Sequence, residues 1–162
     1  ITIAVCIVSV SANVYQYRVI RNKDASITWN QKVVDQMFQE ELAYIGDQMI
    51  RLSKCESGEK DTEIGRTLGY CLDAFNMYPS TSYGVSGKEH DVQQMVAEFR
   101  DYLENLQSDE TLWKNAKSGD LDRLHDAWSE VLTQIDKGKK ARVAAASKVR
   151  QILKNCATSP TS

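Results

Sequence analysis

Residues able to do chemistry are few in this chain, and their spacing is poor. Two histidines, His90 and His125, and four cysteines, Cys6, Cys55, Cys71 and Cys156, are the obvious candidates. Di-metal helical bundles use Glu-x-x-His on two helices, so that both side chains project inward at i and i+3. Here Asp122 precedes His125 by three residues, once, with no second copy, and His90 sits between Glu89 and Asp91 as an exposed first-turn residue would. Nucleophilic catalysis needs a serine or cysteine, a base within reach and a group that orients the base. The sequence has no G-x-S-x-G, no glycine-rich phosphate loop, no H-E-x-x-H and no EF-hand loop. Acidic neighbours such as Glu40 and Glu41 fall on the polar side of their helix and solvate it. The expectation is a protein that is not an enzyme, with no catalytic residue, no metal ligand and no cofactor.

The cysteines carry a second kind of chemistry. Cys55 closes one helical segment and Cys71 lies on the apolar stripe of the next, so an antiparallel hairpin makes them a candidate disulfide, which implies an oxidising compartment. Against it, Cys55 stands at the turn and Cys71 about ten residues into its helix; the alternative is two free thiols used as small hydrophobes. Cys6 and Cys156 read as unpaired.

The elements that position these residues begin with "ITIAVCIVSVSANVYQYRVIRNK", whose first fifteen residues carry no charge. Fifteen residues of helix rise about 22 Å, less than the roughly 30 Å of a hydrocarbon core. The chain does not begin with methionine, and the expectation is the remaining half of a membrane helix. Tyr15 and Tyr17 stand where an aromatic belt would lie, and Arg18, Arg21 and Lys23 are placed to reach headgroups. A signal peptide fits less well, because the bases follow the apolar run. A buried strand or helix remains the structural alternative, since the run is rich in β-branched residues.

Charge is divided along the chain. Residues 1–23 carry +3 and residues 120–162 carry +3, which leaves −8 for the middle of a chain whose net charge is −2. That balance argues against nucleic acid as a partner, because phosphate recognition wants bases spread over one face. The run "KGKKAR" at 137–142 is the sole basic candidate, and a solvated helix face is its plainer reading.

From residue 22 onward the apolar spacing is helical. Val34, Met37, Phe38, Leu42, Ile45, Met49 and Leu52 form a first stripe, and Ile64, Leu68, Cys71, Leu72 and Phe75 a second, capped by Asp61 or Thr62 and ended by Pro79. Ser86 and Glu89 have capping-box spacing before a third helix lined by Val92, Met95, Val96, Phe99, Leu103 and Leu106. A short turn carrying Leu112 and Trp113 stops at Gly119. Asp120 then caps a last helix running through Leu121, Leu124, Trp128, Val131, Leu132, Ile135, Val149, Ile152, Leu153 and Cys156, weakened at Gly138. Gly46, Gly65 and Gly69 lie within helices, where glycine costs about 1 kcal/mol relative to alanine; close helix approach, a bound partner or simple tolerance would account for them.

The fold class expected is all-α, a bundle of about four amphipathic helices preceded by the C-terminal part of a transmembrane helix. Residues 1–21 are the truncated anchor, 22–156 the bundle and 157–162 a disordered tail. The "NKDAS" at 22–26 serves either as continuous helix or as a hinge.

The function expected is that of a single-pass, membrane-anchored domain that binds other proteins as a subunit or accessory factor of a membrane-associated assembly. It uses its third and last helices, with the domain extracytoplasmic and either a homo- or a hetero-oligomer. One alternative is an extracytoplasmic ligand-sensing bundle of a receptor, with a pocket near Tyr70, Tyr78 and Tyr83. Another is a soluble helical binding protein with residues 1–15 in its core.

Overall fold

The structure, a computed structural model, describes residues 2–84 and 90–158, with side chains described at residues 21, 23, 26–84 and 90–157. The described residues form helices joined by short turns and loops, with no strand among them. Helix α1 runs Thr2–Lys54, α2 Lys60–Met77, α3 Asp91–Ser108, α4 Glu110–Asn115, α5 Leu121–Gln134 and α6 Lys139–Thr158. Residues 22–26 are continuous helix within α1, so no hinge interrupts it. The expected capping box of Ser86 and Glu89 lies outside the described residues.

The long helices close a ring. α1 packs on α2 and α5, α2 on α3, α3 on α6, and α6 on α5. Each apolar stripe is thereby covered by two neighbours, which is what an amphipathic helix needs in water. Phe38, Leu42, Ile45, Met49 and Leu52 of α1 are buried, as are all six residues expected to line α3. Each such side chain contributes about 1.5–3 kcal/mol relative to leaving it exposed. Trp128 of α5 fills the centre, 5.3 Å from the ring of Phe99 on α3, with its indole N–H donating to the Leu42 carbonyl at 2.7 Å.

Several local expectations are corrected. Met37 is 47% exposed and Leu72 51% exposed; α2 instead buries Ile64, Thr67, Cys71 and Ala74. On each helix the buried stripe is narrower than the apolar spacing, because the covering neighbours reach only part of it. Neither Asp61 nor Thr62 caps α2, whose first residue is Lys60. Asp120 does not cap α5 either: a wide turn of helix carries the chain from α4 into α5, and Asp120 pairs with Arg123 instead. Asp109 is the cap that forms, accepting from the backbone N–H groups of Thr111 at 2.8 Å and Leu112 at 2.9 Å. The last helix is two, because Gly138 at φ 99° takes a left-handed conformation open to glycine and turns α6 back along α5. α6 extends through Thr158, two residues into the expected tail.

Among the described residues nothing packs so closely on the three helical glycines that a Cβ would be excluded. A Cβ on Gly46 would meet Trp128 Cδ1 at an ordinary 3.5 Å, and on Gly65 or Gly69 it would meet nothing within 4 Å. Gly65→Ala and Gly69→Ala are each expected to stabilise the domain by about 0.5–1 kcal/mol, through lost freedom of the unfolded chain. Urea unfolding of the two variants checks this; destabilisation by either would mean that the helix there is held in a shape alanine disfavours.

Candidate functional site

Two ends of the bundle gather its polar side chains. At one end the loop after α2 folds against α1 and the α5 to α6 turn. Asp35 of α1 accepts from the backbone N–H of Ser82 at 2.7 Å and from its hydroxyl at 2.6 Å. The Tyr83 hydroxyl donates to Asp136 at 2.5 Å and accepts from the Gln39 amide at 2.6 Å. Arg142 lies over the Tyr83 ring at 5.2 Å and is itself buried. Burial and the Asp136 carboxylate both raise the Tyr83 phenol above its ordinary range, so it stays a donor. These groups are mutually satisfied, and their work is to clasp three segments together. "KGKKAR" is therefore split: its lysines are exposed while Arg142 belongs to the clasp.

At the opposite end Trp113 is buried between two ammonium groups, with Lys60 Nζ 5.5 Å and Lys117 Nζ 5.7 Å from its centroid. Lys60 also pairs with Glu110 at 3.3 Å, and Lys117 donates to the Cys55 carbonyl. The Lys60 contact has no local signal in the sequence, because Lys60 stands more than fifty residues before Trp113, whereas Lys117 follows Trp113 by four, a spacing that sequence reading could have paired.

The structure does not bring Cys55 and Cys71 together; both are free, buried thiols. Cys71 is eleven residues into α2, roughly 16 Å along the helix from its start, while Cys55 stays at the turn. Burial pushes the Cys71 thiol from its ordinary 9.0 up to about 12. Between those values the unfolded chain ionises and the folded one keeps its proton, so the stability held below pH 9 is lost as pH rises toward 12. The urea midpoint should accordingly fall from about pH 9 upward, and Cys71→Ala should flatten part of that slope. An unchanged slope would mean that Cys71 is hydrated in the folded protein.

His125 faces Asp126 with Nδ1 at 3.6 Å, and His90 is exposed just before α3. Among the described residues no group of three His, Cys, Asp or Glu side chains is arranged to hold a metal ion. The three tyrosines of the expected ligand pocket part company. Tyr78 enters the core against Phe38 at 5.6 Å, Tyr83 joins the clasp, and Tyr70 stacks on Tyr44 of α1 at 5.4 Å. On the third and last helices, Glu98 and Arg150 pair through a carboxylate to guanidinium fork at 2.7–3.0 Å, and Lys148 pairs with Glu130 of α5 at 2.6 Å.

The side chains of the expected membrane-interface residues Tyr15, Tyr17 and Arg18 lie outside the described residues; Arg21 is exposed. Among the described residues no helix is long and apolar enough to cross a membrane. The chain matches no known family model, no curated protein and no solved structure.

Proposed function

We propose that this chain is a non-enzymatic helical domain, anchored to a membrane through residues 1–21, that acts by binding protein partners within a membrane-associated assembly. The observation that carries this reading is the course of α1. It is a single helix from Thr2 to Lys54, and the side chains described at residues 21, 23 and 26–30 are all exposed. Whatever holds the uncharged opening stretch is thus joined to the bundle by an unbroken rod. The described core begins at Phe38 and closes on six helices, and this favours the anchor over the alternative that puts residues 1–15 in the core.

A version of the protein starting at Asn22 tests this. It removes no side chain of the described core, so it is expected to melt cooperatively within about 1 kcal/mol of the intact chain. The intact chain is expected to float with liposomes and the shortened one to stay in the soluble fraction. Unfolding of the shortened chain would place its opening residues in the core, and equal flotation of both would remove the anchor from the reading.

A further inference from the structure

One face of α1 carries apolar side chains that the bundle leaves open. Trp29 is 67% exposed, Val33 37%, Met37 47% and Tyr44 48%, and their spacings of four, four and seven put them on one stripe. Where this stripe meets α2, Val34 and Met37 line a groove of about 310 Å³ with Asp73, Asn76, Met77 and Ser80. The surroundings are acidic: Glu40 and Glu41 rise from α1 and Asp73 from α2. The Oε2 atom of Glu41 is buried without a hydrogen-bond partner. Burial, then Asp73, then Glu40 hold its carboxyl above the usual carboxylate range. An acceptor buried with no donor is costly, and a cation arriving from outside would relieve both that cost and the crowding of acids.

The α2 surface beside the groove points the same way. Gly65, Gly69, Asp73 and Met77 follow one another at spacing four, so the two glycines form a row that leads into the groove, and among the described residues no other element lies within 4 Å of where their Cβ atoms would be. Helical glycine that costs stability without serving internal packing suits a backbone approached from outside. A second copy laid on this face by a two-fold axis would set Glu40, Glu41 and Asp73 against themselves, and opposed like charges are unfavourable. An anionic lipid surface is repelled for the same reason.

We propose that the groove between α1 and α2 seats a basic amphipathic helix of a partner protein. Its apolar side chains pack on Val34, Met37 and Met77, and a lysine or arginine reaches Glu41 and Asp73. Methionine side chains such as the exposed Met37 and the half-buried Met77 adapt to such a guest, and an apolar groove with a charged rim is the usual seat for it. The inference rests on the protein-binding reading above and moves its surface from α3 and α6 to α1 and α2.

The test titrates a labelled Leu/Lys amphipathic peptide of about 18 residues, and a scrambled isomer of equal charge, into the full chain by fluorescence anisotropy. The expected result is saturable binding at least about tenfold tighter than the isomer, weakened about tenfold by Glu41→Gln with Asp73→Asn and lost in Met37→Lys. Met37 is half exposed, so circular dichroism should show Met37→Lys as well folded as the parent. Equal binding of peptide and isomer, or full binding by Met37→Lys, would overturn the proposal. So would a chain dimer in sedimentation that Met37→Lys dissolves, since a second copy would then hold the face. Failure of the peptide alongside loss of partner capture from substitutions on α3 and α6 would sink the groove and leave the protein-binding reading standing.

Discussion

Trp128→Ala is expected to destabilise the domain by about 3–5 kcal/mol, the largest single effect in the chain. The side chain is fully buried, touches Phe99 of α3 and binds the Leu42 carbonyl of α1, so its loss opens a cavity where three helices meet. Domains of this size are stable by about 5–15 kcal/mol, and the variant should therefore populate the unfolded state measurably at 37 °C. Trp128→Phe separates the two contributions, keeping most of the apolar volume while removing the indole N–H. Its expected cost is about 1–3 kcal/mol, since the Leu42 carbonyl loses a partner and a smaller void remains. Urea unfolding followed by circular dichroism gives both numbers. A Trp128→Ala variant within about 1 kcal/mol of the parent would mean that the ring's surroundings collapse freely and that the centre of the bundle is not closely packed.

Gly84→Ala should cost about 1–3 kcal/mol or more, through a clash where the loop after α2 folds back on itself. A Cβ there would press on the Tyr78 carbonyl oxygen, well inside contact distance, and would stand 3.0 Å from Pro79 Cα. Both neighbours are backbone, so no rotamer change relieves the overlap. That carbonyl already accepts the Thr81 amide at 3.0 Å and hydroxyl at 2.6 Å, and the loop cannot move away without breaking these bonds. The displaced segment carries Tyr83, so its contact with Asp136 should loosen as well, and the Tyr83 phenol should titrate closer to its ordinary range. Ultraviolet difference titration at alkaline pH reads that change. Wild-type stability together with an unmoved phenol would show that the loop has another conformation of equal energy.

Legibility in the sequence varied with how local each feature was. On α3 all six apolar positions read from the sequence are buried, because they follow one face and both neighbours cover them; only Tyr102, also buried, lies outside that reading. α1 and α2 were readable as helices but not as surfaces: Met37 and Leu72 fit the spacing and yet face outward. Periodicity marks which side chains share a face, whereas burial depends on how far a neighbouring helix reaches over it. In the sequence Gly138 reads as a weak point of one helix and not as a turn, since a glycine with φ 99° and a tolerated helical glycine look alike in one dimension. The contacts of Tyr83 with Gln39, Asp136 and Arg142, like the Lys60 cation on Trp113, join residues separated by more than forty positions and have no local signal, whereas Lys117 stands only four residues from Trp113.

By itself, the sequence determined the helical class, the approximate place of each helix, the uncharged opening stretch and the division of charge, because all of these follow from residue type and short-range spacing. Only the tertiary structure decided that α1 is one rod, that the last helix is two, that Cys55 and Cys71 stay apart, and that Met37 and Met77 share an open groove with Asp73. Each of those outcomes depends on which helix faces cover one another. That choice is made by the free energy of burying the whole set of stripes at once, which no single stretch of chain records.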